Sequence, residues 1–175
     1  AMAVSDRIAV MSGGVIKHIG TPKDIYQRPA NVFVATFIGR TNMLPGTLTV
    51  QDGKSAVRFS DGYTVPIENV QEQHRREQSI QISVRPEEFI VSTDATQGVP
   101  AKVSDSIFLG LNTHYKLTLH DGTEVETIQE SSIDSIIPKG TEVFLQVKAE
   151  KINIFSEDGS VNLLRGVHDD KRGAE

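Results

Sequence analysis

The stretch "THYKLTLHDGTEVETIQ", residues 113–129, sets the reading of the whole chain. Tyr115, Leu117 and Leu119 alternate with Lys116, Thr118 and His120, so a strand here buries one face and wets the other. Asp121-Gly122 then supplies the residue pair that tolerates the backbone of a tight hairpin turn. Residues 124–129 return as a second strand.

The same punctuation recurs outward from this hairpin. Asp-Gly stands at Asp52-Gly53, Asp61-Gly62 and Asp158-Gly159, and the first two also separate β-type runs. Strands are expected over residues 46–50, 56–59, 63–66, 79–85, 89–92, 101–109, 113–119, 124–129, 142–147 and 153–155. Many short strands at this spacing give a mainly β protein, a small barrel or a sandwich. "FSDGYTVPI" at Phe59 and "LHDGTEVETI" at Leu119 share a strand, an Asp-Gly turn and a strand. Two related halves and shared turn chemistry explain that likeness equally well. Residues 68–78 are polar and read as a loop or an exposed short helix.

The first forty residues have another texture. Residues 8–11 and 15–19 flank Gly13-Gly14 as a hairpin. Thr21 caps a helix that has Pro22 at its first position and Asp24 in its first turn, and Pro29 ends it. Asn31 caps a second helix with Val34, Phe37 and Ile38 on one face and Gly39 as its stop. Residues 1–4 are expected to be the last turn of a preceding helix, and the charged tail from Gly166 is expected to fray.

Composition excludes several classes of function. The 175 residues carry a net charge of -5, and Lys and Arg gather only around His74-Arg75-Arg76 and at the C-terminus. Nucleic-acid binding calls for a basic stripe with exposed aromatics, but aromatics are 6% and Trp is absent. With no cysteine there is no disulfide, thiolate metal site or cysteine nucleophile. No apolar run reaches the ~20 residues of a membrane-spanning helix.

Catalytic motifs fail on inspection. Asp52-Gly53-Lys54-Ser55 ends like a phosphate loop, but Leu48 stands where the first glycine belongs and a β-type run follows in place of a helix. The histidines at 18, 74, 114, 120 and 168 make no metal-ligand pattern and read as surface or loop residues. Glu87-Glu88 and Asp169-Asp170 are sequence neighbours, which point apart on a strand. No Gly-x-Ser-x-Gly elbow occurs. The chain is expected to hold no catalytic residue, metal or cofactor of its own.

"SDRIAVMSGGVIKHIGTPKDIYQRPANVFVATFIG" at residues 5–39 resembles the end of the nucleotide-binding domain of ABC importer ATPases, the sugar, iron and polyamine uptake class. "TNMLPG" at 41–46 resembles that family's linker. "SVRPEEFIV" at 83–91 and "SIFLGLNTHYKLTL" at 106–119 resemble its C-terminal regulatory region of OB-like barrels, the TOBE domain, most of all in spermidine/putrescine importers.

The resemblance implies a remnant of the nucleotide-binding domain over 1–40 and OB-like barrels over 41–165, and the charged residues 166–175 are expected to form a disordered tail. It implies a regulatory and dimerising role, with a second copy of the subunit and transmembrane permeases as partners at the cytoplasmic face of the membrane. ATP and Mg would belong to the parent protein. The matching motif residues are Arg85, Pro86, Glu87, Gly110, Asn112 and Tyr115, for which structural roles are expected: Arg85 pairing with a carboxylate, Pro86 ending a strand, Gly110 and Asn112 shaping a turn. The rival expectations are an OB module that senses a small ligand or anion, or one that binds oligonucleotides.

Overall fold

The computed structural model describes residues 6–93, 96–131 and 136–173; the expected helix end at 1–4 lies outside them. The chain opens with the hairpin β1 (Ile8–Ser12) and β2 (Val15–Gly20), followed by α1 (Pro22–Gln27) and α2 (Val32–Ile38). Thr21 Oγ1 accepts from Asp24 N–H, and Asn31 Oδ1 accepts from Val34 N–H, so both expected caps form. Val10, Ile25 and Val34 make a small separate core.

Ten strands follow: β3 (Asn42–Gln51), β4 (Lys54–Phe59), β5 (Thr64–Ile67), β6 (Gln78–Val84), β7 (Ile90–Ser92), β8 (Val99–Phe108), β9 (Asn112–Leu119), β10 (Glu124–Glu130), β11 (Glu142–Gln146) and β12 (Asn153–Ser156). They form two antiparallel sheets of five, β5-β4-β3-β6-β12 and β10-β9-β8-β11-β7. Both are the five-stranded, partly open arrangement of OB-like barrels. A single apolar core from Leu44 to Leu164 fills both.

The two sheets repeat one plan. In each, three consecutive strands form a meander and the fourth returns beside the first. The register repeats as well: Gly46 faces Phe59 and Ile80, while Ala101 faces Leu119 and Val143. In the Asp-Gly turns, Gly62 N–H donates to Phe59 O at 2.9 Å and Gly122 N–H to Leu119 O at 3.0 Å. Asp61 and Asp121 each accept from the N–H two residues on. The likeness that sequence left open is therefore a duplication, β3–β7 and β8–β12.

The fifth strands are exchanged. β7 follows β6 in the chain but pairs with β11, and β12 follows β11 but pairs with β6. Pro86–Glu88 and Ala149–Lys151 are equivalent 3-10 turns at which the chain crosses over.

Three local expectations change. Residues 42–46 are strand rather than linker. Leu44 points into the core, and β4 pairs with β3 only from Gly46 on, so Pro45 lacks a ladder partner on one flank and its missing donor is harmless. Glu87 and Glu88 lie on a 3-10 turn, not a strand. The tail does not simply hang free: Asp169 Oδ1 accepts from Ile19 N–H at 3.1 Å, and Asp170 pairs with Arg7.

Candidate functional site

The residues richest in polar contacts lie where the α/β unit meets the barrels. Arg28 leaves the end of α1 and reaches the crossover turn of the second repeat. Its Nη1 donates to Ile152 O (3.2 Å) and Asn153 Oδ1 (3.1 Å), and its Nη2 to Glu150 O (3.0 Å). Asn153 Nδ2 returns a bond to Gln27 O. Asn162 Nδ2 donates to Pro29 O at 2.8 Å and to Asn153 Oδ1 at 3.1 Å. Val32 N–H donates to Gly159 O, and a Cβ on Gly159 would stand 2.9 Å from Val32 Cγ2, so this close approach needs glycine.

The first repeat grips in the opposite sense. Arg85 lies at the start of its crossover turn and is 7% exposed. Its Nη1 donates to Ala35 O (3.0 Å), Gly39 O (2.9 Å) and Arg40 O (2.9 Å), the open carbonyls at the end of α2. A cation there also complements the helix dipole. The guanidinium carbon sits 4.6 Å from the centre of the Tyr26 ring, and Tyr26 Oη donates to Glu87 Oε1 at 2.6 Å. Arg85 thus spends its donors on carbonyls rather than on the expected carboxylate. Burial and then the Glu87 hydrogen bond push the Tyr26 phenol up to about 12, and burial pushes both guanidinium pKa values down.

Two further clamps were invisible to sequence periodicity. His18, expected at the surface, is fully buried. Its Nδ1 accepts from Ala30 N–H (3.2 Å), which leaves the protonated Nε2 to donate to His168 O (2.8 Å). Asn42 brackets Glu126: its Nδ2 donates to Glu126 O, and its Oδ1 accepts from Glu126 N–H. Arg40 and Glu126 add an exposed ion pair at 2.9 Å. Arg28, His18, Asn153 and Asn162 carry no local sequence signal, because the bonds through which they join the α/β unit to the rest of the chain span 122 to 150 residues.

Arg85, Pro86 and Glu87 therefore meet at this interface. Gly110 (φ +85) and Asn112 lie apart from it at the tip of the β8–β9 hairpin, where Leu109 N–H donates to Asn112 O at 2.8 Å. Tyr115 is buried inside the second barrel, its Oη accepting from Ile137 N–H at 3.1 Å. Among the described residues no group of three metal-ligating side chains converges. The interface holds the two units together by bonds to main-chain carbonyls that fix one unit's orientation on the other.

Residues 82–155 match the TOBE domain family. The Fe(3+) ions import ATP-binding protein FbpC of Fusobacterium nucleatum is 53% identical over 99% of this chain and 46% of that protein. The spermidine/putrescine import ATP-binding protein PotA of Ruegeria pomeroyi is 38% identical over 77% of this chain and 36% of its own length. A solved structure of the cytoplasmic molybdate-binding protein ModG superposes with a TM-score of 0.54 at 15% identity, covering 66% of this chain and 95% of that one. The last likeness concerns the fold alone and supports the OB type.

The chain belongs with the ATP-binding proteins of ABC importers and contains a TOBE domain. It spans 46% of the length of the iron(III) import relative and 36% of that of the polyamine import relative.

Proposed function

We propose that this chain is the regulatory and coupling part of an ABC importer's ATP-binding subunit. The observation that carries this reading is 53% identity to an iron(III) import protein along nearly the whole chain. The whole protein would bind ATP and Mg through its nucleotide-binding part, pair with a second copy, and work at the cytoplasmic face of the membrane against permease subunits. Within it, the Arg28 and Arg85 clamps make the barrels follow the α/β unit as a nearly rigid body. The exposed, stacked rings of Phe33 and Phe37, 5.9 Å apart, support a further packing surface on α2.

For cargo, the similarities favour iron(III) over the polyamine expected from motif resemblance, since the iron relative is both more identical and more fully aligned. Uptake of radiolabelled iron(III) and of putrescine by cells lacking the gene, restored with wild type or Arg85→Ala, tests both levels. Loss of iron uptake alone supports the reading, with Arg85→Ala restoring it only in part. Loss of putrescine uptake alone overturns the cargo, and loss of neither overturns the transport role.

A further inference from the structure

The duplication creates a cleft at the contact of its two halves. About 320 Å³ of space lies between the barrels, at the small end of ligand pockets. The halves line it with equivalent residues: Pro45 with Pro100, Phe59 with Leu119, Asp61 with Asp121. Each pair holds the same place in its own repeat, as the Gly46–Phe59 and Ala101–Leu119 registers require.

The cleft opens at Pro45 and Pro100 because the meander strands β4 and β9 begin to pair only one residue later. Its walls are therefore apolar ring and aliphatic surface. Its rim carries two carboxylates held by Asx-type turns. Hydrogen bonds from Thr123, side chain first and then main chain, keep the Asp121 carboxyl below its usual range, so this acid stays charged. Among the described residues no lysine or arginine lines the space, and the remaining ionisable group is His120.

We infer that this inter-barrel cleft binds a small organic cation, an ammonium group on an apolar body, with the body between the prolines and the charge at Asp61 and Asp121. An anion of the same shape meets two carboxylates and no cation. A neutral molecule of the same shape gains the apolar contact and loses the charge. The inference does not depend on the transported cargo.

The test is titration of the chain with n-hexylammonium, n-hexanoate and n-hexanol, followed by amide NMR shifts at Ser60, Asp61, Asp121 and Thr123. Saturable shifts are expected with the ammonium, weaker ones with the alcohol and none with the carboxylate. Asp61→Asn and Asp121→Asn keep an oxygen that accepts the turn N–H and remove only the charge. Each should weaken ammonium binding about threefold, the size of one exposed ion pair, and the double variant about tenfold. Binding of hexanoate or hexanol as tight as that of hexylammonium overturns the inference. So does ammonium binding unchanged in the double variant, or an absence of saturable shifts.

Discussion

The two repeats share a path but hold their neighbour differently. The first sends a side chain outward: Arg85 reaches three carbonyls of the α/β unit. The second, with Lys148 at the matching place, offers its own carbonyls to Arg28. Their interiors differ in the same complementary way. Ser55 faces Ile67 in one barrel, where Tyr115 faces Thr127 in the other, so small and large side chains change places across one pair. Duplication fixed the ladders; each copy then filled its volume and made its outside contacts with different chemistry.

The comparison breaks most readily at Arg85. Arg85→Ala removes a charge-assisted cluster and strands the carbonyls that end α2, with an expected loss of about 3 kcal/mol. Urea unfolding measures the total. Hydrogen exchange should show α2 opening before β3–β6. Protection that falls evenly through both barrels would refute the clamp as a local grip.

Gly46 and Ala101 occupy equivalent positions, and only the second repeat leaves room for a methyl. A Cβ on Gly46 would meet Ile82 Cδ1 and stand 2.7 Å from Arg58 O. Gly46→Ala should therefore cost about 2 kcal/mol by overpacking. The reciprocal Ala101→Gly should cost about 1 kcal/mol, from chain entropy and a lost methyl. Equal losses would mean that the two sites are not distinct.

Thr127→Val is expected to stabilise by about 1 kcal/mol. Among the described residues the buried Thr127 hydroxyl has no hydrogen-bond partner, and valine keeps the shape. A melting temperature that falls would show that the hydroxyl has a use in the second barrel.

The last expected effect depends on pH and concerns Tyr26. Its ordinary value is about 10, and the fold raises it to about 12. A raised value stabilises fully below pH 10, and that stability is lost as pH climbs through the folded value. Stability should fall between pH 10 and 12 by more in wild type than in Tyr26→Phe, as followed by urea midpoints across that range.

Much of this architecture was legible because it is local. The turns at Asp52-Gly53, Asp61-Gly62 and Asp121-Gly122, the caps at Thr21 and Asn31, and the alternation from Tyr115 to Leu119 each act within a few residues. The exchange of β7 and β12 was not legible, since it depends on which sheet edge a strand meets after the crossover turn. The candidate site divides likewise. Arg85 announces itself beside Pro86, whereas Arg28 is known as a clamp only once Glu150 and Ile152 are folded beneath it. His18 misled because a buried neutral imidazole needs one donor and one acceptor, and His168 O lies 150 residues from it.

The crossed strands impose an order on biosynthesis. As the chain leaves the ribosome, β3–β6 can form a four-stranded sheet, but its β6 edge stays open until β12 emerges. The second sheet, though later in sequence, has all five strands once β11 is made. The barrel begun first is thus finished last, and an interrupted chain would carry a bare strand edge suited to pairing with another molecule.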